Sequence, residues 1–207
     1  SEMCIRDSYI TAVKYYEKAA ELGSAEGEYK LGRCYEEGKG VEQNNNKAFE
    51  HYKKAAEQNH ANAQSSLGAM YYYGSGTVKD LSEAIKWFEE AANNNDTFGK
   101  KFLAYCYYYG DGVQKDEKKA ANDFAKLAEE GDAWSQMMLG KCYLYGKGLE
   151  PDFDQAVYWF QCAAEQGETA AQELLGECYE NGWGVEVDAE KAKEYLSLIH
   201  ISEPTRR

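Results

Sequence analysis

The residues most often used for metal binding and catalysis form no recognised motif in this sequence. The three histidines (His51, His60 and His200) are scattered, and neither His-Glu-x-x-His nor Cys-x-x-Cys spacing occurs, so a zinc site is not expected. Gly-x-Gly pairs recur, but none continues to the Gly-Lys-Ser/Thr of a phosphate-binding loop. The sequence therefore predicts no catalytic residue, no metal site and no cofactor.

Carboxylates are the one abundant chemical group. The 207 residues include 36 Asp and Glu against 23 Lys and Arg, which gives a formal net charge of -13. Some pair of carboxylates could lie at the separation used by glycoside hydrolases, so a hydrolase of carbohydrate or peptidoglycan is the alternative function. The acidic balance argues against nucleic acid and against anionic membranes, because both attract clustered Lys and Arg. No apolar run is long enough to predict a membrane-spanning helix.

An internal repeat organises the chain. A Leu-Gly dipeptide or its equivalent recurs every 36 residues, and a tyrosine and a Gly-x-Gly pair follow it at constant spacing. The dipeptides are Leu31-Gly32, Leu67-Gly68, Leu103-Ala104, Leu139-Gly140 and Leu175-Gly176. A repeat of this length is typical of stacked helical units, each of which buries its apolar face only against its neighbours.

Each repeat is predicted to form two antiparallel helices, so the fold class is an all-α solenoid (an α-α superhelix) of helix-turn-helix repeats. In the second repeat the helices are expected to span Ala61 to Tyr73 and Ser82 to Asn94, by their apolar spacing. The residues expected to be buried on the second of these helices are Ala84, Phe88, Ala91 and Ala92. The Gly-x-Gly pair ends the first helix, because glycine readily adopts the left-handed conformation. The second helices are expected to be capped by Asn44, Asp80, Asp116, Asp152 and Asp188.

The repeat resembles the Sel-one-like repeat (SLR) family, which is related to tetratricopeptide repeats. The shared pattern is Ala-x-Ala/Ser-x-x-x-Leu-Gly-x-x-Tyr-x-x-Gly-x-Gly, followed by Asp-x-x-x-Ala-x-x-Trp-Phe-x-x-Ala-Ala. The departures are Ala104 in place of Gly, His51 and Asp123 where Trp or Tyr is usual, and Thr77 in place of Val. The resemblance implies a right-handed superhelix that serves as an adaptor or scaffold for other proteins, and it carries over no catalytic residue.

The predicted solenoid covers residues 9–196. Four complete repeats lie between Ser24 and Gly167, with a partial repeat at each end. Residues 1–8 and 197–207 fit no repeat position and resemble translated sequencing-adapter read-through, so they are expected to be a non-native leader and a non-native tail. A divergent capping segment is the alternative, because terminal repeats are often atypical.

Cysteines recur at one position of the repeat, three residues after the leucine, where the second repeat has a methionine. These residues are Cys34, Met70, Cys106, Cys142 and Cys178. We expect reduced core residues, because equivalent positions in adjacent repeats lie about 9–10 Å apart, beyond the ~7 Å Cα limit of a disulfide. Cys162 is the one plausible bridging partner, to Cys178. This pattern favours a cytoplasmic location, with a secreted or periplasmic one as the alternative if the native N-terminus is missing.

Aromatic residues on the first helices exceed what the repeat pattern requires. In the third repeat they recur at i, i+4, i+7 and i+11, which forms one continuous stripe on a helix. The stripe and its equivalents in adjacent repeats consist of Phe98, Phe102, Tyr105, Tyr109, Trp134, Met138, Tyr145 and Tyr73. First helices line the concave surface in the family that the repeat resembles, so the stripe is predicted to bind a partner in the groove. The alternative is that these side chains are additional core between repeats.

The leading functional hypothesis is a non-enzymatic scaffold that binds a peptide or a helix of a partner protein in its concave groove. The stripe favours apolar partner segments, and acidic residues of the last repeat favour basic ones. These acidic residues are Glu168, Glu173, Glu177, Glu180, Glu186 and Asp188. Phe102→Asp is predicted to abolish partner binding with helicity unchanged. The oligomeric state stays open, as does a role as the regulatory part of a longer protein.

Overall fold

The computed structural model describes residues 2–202, and the side chains of residues 7–197. Within this range the chain forms eleven α-helices and no strand, which confirms the all-α prediction. The helices are α1 Glu2–Glu21, α2 Ala25–Glu37, α3 Asn45–Ala56, α4 Ala61–Tyr73, α5 Leu81–Asn93, α6 Thr97–Tyr109, α7 Glu117–Glu129, α8 Ala133–Tyr145, α9 Phe153–Glu165, α10 Thr169–Asn181 and α11 Ala189–Ser202. Helix α4 has the predicted bounds, and α5 starts and ends one residue before its predicted bounds.

The chain divides into two compact units. The first comprises Ser1–Cys106 with Asp111–Val113, and the second comprises Tyr107–Gly110 with Gln114–Arg207. In the first unit, α2 and α3 form one hairpin and α4 and α5 form another, while α1 packs on α2. In the second unit the hairpins are α8–α9 and α10–α11, and α7 packs on α8. Helix α6 contributes residues to both units.

The loop within each hairpin is set by glycine at one end and by a capping side chain at the other. Gly74 adopts a left-handed conformation after α4, with φ 72°, and its N–H donates to the carbonyl of Met70. A side chain at Gly76 would overlap the backbone of Asn45, so the close approach of this loop to α3 requires glycine. The Oδ1 of Asp80 then accepts hydrogen bonds from the first N–H groups of α5, as predicted.

The repeat glycine of α4 leaves room for the facing helix of the same hairpin. A Cβ on Gly68 would lie 2.7 Å from the ring of Phe88, so only glycine permits this contact between α4 and α5. Ala84, Phe88 and Ala91 are fully buried as predicted. The prediction for Ala92 is wrong, because it is only partly buried beside the turn that ends α5.

The cysteines at the shared repeat position are core residues, as predicted. Cys34, Cys106, Cys142 and Cys178 are buried and unbridged. Burial raises the pKa of Cys106 and Cys142 to about 12 each, because the apolar surroundings disfavour the thiolate. Cys162 is a free thiol too, so the predicted candidate bridge to Cys178 is not formed.

Helices extend into both segments that the sequence predicts to be non-native. Helix α1 begins at Glu2 and α11 ends at Ser202. Residues 1 and 203–207 of these segments lie outside the described residues, and the non-native origin of the segments stays a prediction. In the described part of the chain, every helix is too short or too polar to cross a membrane.

Candidate functional site

The predicted aromatic stripe separates into exposed and covered positions. Phe98, Tyr109, Tyr145 and Tyr73 are exposed, with relative exposures of 38%, 45%, 49% and 65%. Phe102, Tyr105 and Trp134 are partly buried. Met138 is 2% exposed and belongs to the core. The stripe is therefore not one continuous contact surface.

Phe102 packs against the core of the first unit. Its ring lies 5.4 Å from the ring of Phe88, which is fully buried, and stacks on Phe98 at 4.4 Å. Tyr72 meets it edge-on at 6.4 Å. A charge at position 102 would therefore lie against the fully buried ring of Phe88 and beside two further aromatic rings, where an ionised group is disfavoured. Phe102→Asp tests stability rather than partner binding, and this corrects the use predicted for it.

Met138 and Trp134 likewise contribute to packing in the second unit. Met138 is among the largest fully buried side chains of the described residues. Trp134 meets the fully buried ring of Phe124 edge-on at 5.7 Å. The burial of Met138, at 2% exposure, agrees with the alternative that residues of the stripe are additional core.

The exposed tyrosines Tyr73, Tyr109 and Tyr145 occupy one position of the repeat, the last residue of the first helix. Each precedes the glycine at which the chain leaves the helix. We name these three residues the outer tyrosines. Because they lie on regular helices, their rings are presented on rigid elements rather than on mobile loops.

A more buried tyrosine supports two of the outer tyrosines. Tyr72 contacts Tyr73 edge-on with ring centroids 4.9 Å apart, and Tyr108 contacts Tyr109 in the same way at 4.8 Å. Tyr108 is 6% exposed. Edge-on aromatic pairs are favourable beyond their burial, so the inner ring restricts the orientation of the outer one. The Tyr-Tyr dipeptide is visible in the sequence, but its division into an inner and an outer ring was not predicted.

A hydrogen bond fixes the inner tyrosine of α4. The Tyr72 hydroxyl donates to Oδ2 of Asp111 at 2.5 Å. Burial, together with this hydrogen bond and the charge of Asp111, raises the pKa of Tyr72 well above its usual range. The hydroxyl therefore stays protonated at neutral pH and continues to donate. Asp111 lies between Gly110 and Gly112 in the loop that follows α6. Its role as the acceptor of the Tyr72 hydroxyl was not predicted from the sequence.

The acidic surface predicted in the last repeat is smaller than the sequence suggests. Glu173, Glu177, Glu180 and Glu186 are exposed. Asp188 instead caps α11, where its Oδ1 accepts hydrogen bonds from the N–H groups of Glu190 and Lys191.

One exposed glutamate acts on an outer tyrosine. Burial raises the pKa of Tyr145, and the charge of Glu177 raises it further. A neutral phenol and a carboxylate therefore influence each other on this part of the second unit.

The two histidines whose side chains are described, His51 and His60, make contacts within the first unit. His51 Nδ1 lies 2.6 Å from Oε2 of Glu28, and His60 Nε2 lies 2.8 Å from Oε2 of Glu26. His60 Nδ1 also accepts a hydrogen bond from the Ala63 N–H and so caps α4. Within residues 7–197, whose side chains are described, no three His, Cys, Asp or Glu side chains are placed to hold a metal ion.

The chain is similar to solved structures built from the same repeat. A Sel1 repeat protein from Oxalobacter formigenes superposes with a TM-score of 0.87 at 35% identity, over 96% of this chain and 78% of that one. The protein c5321, a protective antigen of uropathogenic Escherichia coli strains that displays an SLR fold, superposes with a TM-score of 0.76 at 32% identity. That match covers 93% of this chain and 41% of c5321. No curated protein sequence matches the chain significantly.

The family model described as Sel1 repeat matches the chain six times. The matches cover residues 2–24, 25–60, 61–96, 101–132, 135–168 and 169–198. Each of the last five matches covers a first helix, in whole or in part, and the second helix that follows it, and the first match lies on α1 alone. The chain therefore belongs to the Sel1 repeat family, whose repeats commonly serve as protein-interaction scaffolds and are typically non-catalytic.

Proposed function

We propose that this chain is a non-catalytic interaction module that binds an extended peptide or a helix of a partner protein. The binding surface is the first-helix side of the repeats, which the family resemblance assigns to the concave groove. The outer tyrosines provide the apolar contacts. In the first unit the partly buried residues Phe102 and Tyr105 lie on the same helix face. In the second unit Trp134 does so, and Met138 belongs to the core.

The outer tyrosines are the observation that carries this proposal. Tyr73 and Tyr145 expose 65% and 49% of their surface although they are large apolar rings on well-packed helices. Tyrosine is enriched among residues that dominate binding energy, since it adds contact area and a hydroxyl at little cost in conformational entropy. Packing within the chain does not require an exposed ring at the end of a helix.

The partner is expected to carry basic residues beside an apolar one. Glu177 lies close enough to Tyr145 to raise its pKa, and the net charge of -13 attracts cationic segments. Binding should therefore weaken as salt is added, because the carboxylates concerned are exposed to solvent and are screened. No observation favours the alternative of a carboxylate-dependent hydrolase.

Affinity capture with matched tyrosine variants tests this function. The full chain, Tyr145→Ala and Tyr158→Ala are immobilised and exposed to lysate of the source cells. Tyr158 is the control because it lies on α9, a second helix, and is 53% exposed, close to the value for Tyr145. We expect one specific protein to be retained by the parent and by Tyr158→Ala, and to be lost at least about tenfold with Tyr145→Ala.

The helicity of each variant is measured by circular dichroism, so that a loss of binding is separated from a loss of structure. Equal retention by Tyr145→Ala, or a loss confined to Tyr158→Ala, would place the binding surface elsewhere and reject the proposal.

A further inference from the structure

Helix α1 is placed in the first unit as a second helix of the repeat. A side chain at Gly40, in the loop after α2, would overlap the backbone of Tyr9 in α1. A side chain at Gly76, in the loop after α4, would overlap the backbone of Asn45 in α3 in the same way. Tyr9 and Asn45 are 36 residues apart, which is one repeat. Helix α1 therefore lies against the hairpin that follows it as α3 lies against the next hairpin.

In each hairpin a first helix covers one face of the second helix, which we name the inner face. On α3 this face includes Ala48 and Tyr52, which are 0% and 1% exposed. The equivalent residues of α1 are Ala12 and Tyr16, and both stay partly exposed. Among the described residues, α1 packs on α2 and on no other helix to a comparable extent. Its inner face is therefore uncovered.

A groove runs along this uncovered face. A cavity of about 270 Å³ opens between α1 and α2, and Ala12 and Tyr16 line it on the α1 side. We name it the α1 groove. The hairpin of α2 and α3 shows which surface fits such a face, because a Cβ on Gly32 would lie 2.7 Å from the ring of Tyr52. A helix that packs on Tyr16 in the same way needs a glycine opposite the ring.

The hydroxyl of Tyr16 adds a second requirement. In the equivalent place on α3, the Tyr52 hydroxyl donates to Oε2 of Glu36 at 2.5 Å. Glu36 follows Gly32 by four residues, one turn further along α2. Phe88, at the same position of α5, has no hydroxyl and needs no acceptor. A helix that packs on α1 as α2 packs on α3 therefore presents a glutamate four residues after its glycine.

The α2 wall of the groove carries more cations than carboxylates. Lys30, Arg33 and Lys39 line the groove together with Glu37. The single carboxylate of Glu37 is shared by two of them, with Oε1 2.6 Å from Arg33 and Oε2 2.5 Å from Lys39. This wall therefore has an excess of positive charge although the net charge of the chain is -13. Such a wall favours an acidic partner segment.

We propose that the α1 groove binds an acidic α-helix of a partner protein, with a glycine opposite Tyr16 and a glutamate four residues later. The glycine lets the backbone of the helix approach the ring, and the glutamate accepts a hydrogen bond from the hydroxyl. Apolar side chains of the same helix face cover Ala12, as in other helix-in-groove complexes. The site uses α1 and α2 and does not depend on the outer tyrosines.

A peptide with the sequence of α2 is the probe, because this helix covers the equivalent face of α3. The peptide comprises Ala25–Glu37 with Met in place of Cys34, the residue that α4 has at position 70. A free helix of this length is marginally stable, so a staple joins positions 26 and 33, which are exposed in α2. The stapled peptide keeps three glutamates against one lysine. Its binding to the full chain is measured by fluorescence anisotropy.

Matched variants locate the contact on the inner face of α1. Ala12→Leu fills the groove, and Tyr15→Ala is the control because Tyr15 is 70% exposed on the same helix. We expect one saturable site in the parent and in Tyr15→Ala, and at least about tenfold weaker binding to Ala12→Leu. Thermal unfolding checks that Ala12→Leu keeps the fold. A probe with leucine in place of Gly32 should also bind at least about tenfold more weakly, although leucine favours the helix, since its side chain would overlap Tyr16.

A double-mutant cycle tests the hydrogen bond. Tyr16→Phe in the chain and alanine in place of Glu36 in the probe should each weaken binding about three- to tenfold. The two changes together should cost no more than either alone, since both remove the same contact. Lys39→Gln, which lowers the positive charge of the wall, should weaken binding about two- to fivefold.

Four results would overturn the proposal. Absence of saturable binding by the parent, or unchanged binding by Ala12→Leu, would show that the α1 groove is not the site. Tighter binding of the leucine probe than of the glycine probe would reject packing on Tyr16. Additive losses in the double-mutant cycle would reject the hydrogen bond. Dimerisation of the parent in sedimentation experiments, abolished by Ala12→Leu, would assign the groove to a second copy of the chain instead of a partner helix.

Discussion

Aromatic and apolar residues of the same stripe serve different purposes at the middle and at the end of the first helices. Phe102 and Met138 lie near the middle, where adjacent helices pack, and they are partly or fully buried. Tyr73 and Tyr145 are the last residues of α4 and α8, next to the glycine that ends each helix, and they stay exposed. Within this stripe, the residues at the middle of the helices are therefore covered by packing, whereas the tyrosines that end the helices keep accessible surface.

The largest expected effect is a difference in the free energy of unfolding between a variant at the middle of a first helix and a variant at its end. Met138→Ala should lower the free energy of unfolding by about 2–5 kcal/mol, because it removes a fully buried side chain and leaves a cavity. Tyr145→Ala should lower it by at most about 1 kcal/mol, as expected for an exposed site. Chemical denaturation of the two variants measures both values. Similar losses for both would show that Tyr145 is part of the core and would remove the distinction.

Alkaline pH should destabilise the protein because it ionises two buried side chains, Cys106 and Tyr108, more readily in the unfolded state. Burial raises the pKa of Cys106 to about 12 and raises that of Tyr108 above its usual range, whereas the unfolded chain ionises near about 8.5 for Cys and about 10 for Tyr. As the pH rises, the unfolded state therefore loses these protons before the folded state does. The contribution of the two groups to the free energy of unfolding is fully present below about pH 8.5 and is lost progressively above it. Denaturation measured between pH 7.5 and pH 11 follows this fall.

A matched variant assigns part of the alkaline effect to the inner tyrosine. Tyr108→Phe keeps the ring and removes the ionisable hydroxyl, so its stability should fall less steeply above pH 9 than that of the parent. An identical pH dependence of the two proteins would mean that Tyr108 contributes nothing to it.

A smaller effect is expected where an inner tyrosine supports an outer one. Asp111→Ala removes the acceptor of the Tyr72 hydroxyl and should cost about 1–3 kcal/mol, because a partly buried donor is left unpaired. Asp111→Asn retains an acceptor oxygen and should cost less. Once a partner is known, Asp111→Ala should also weaken its binding through a looser Tyr73. Equal stability of the alanine and asparagine variants would argue against this role of the hydrogen bond.

The mildest test uses chemical modification of the cysteines, which also divide into buried and partly exposed residues. Cys106, Cys142 and Cys178 are fully buried, whereas Cys162 is partly exposed. Brief alkylation of the native protein, followed by peptide mapping, should modify Cys162 well before these three, because the buried thiols resist both ionisation and access. Modification of Cys142 at the same rate as Cys162 would indicate that the repeats open readily.

The sequence predicts the fold well because the same pattern of apolar, glycine and capping residues occurs in several repeats. The bounds of α4 and the cap at Asp80 both follow from local rules that recur along the chain. The candidate site is less predictable, because burial of Met138 and exposure of Tyr145 depend on packing by neighbouring helices. His51 shows the opposite case, since this departure from the repeat is visible in the sequence, whereas its contact with the buried carboxylate of Glu28 is not.

Site-specific photocrosslinking tests the central claim most directly. A photoreactive phenylalanine analogue replaces Tyr145 in one protein and Tyr158 in another, and both are irradiated with source-cell lysate. The outer tyrosines are predicted to contact the partner, so the probe at position 145 should form a covalent adduct with one defined protein that the probe at position 158 does not capture. The same adduct from both positions, or an adduct from position 158 alone, would contradict a binding surface on the first helices.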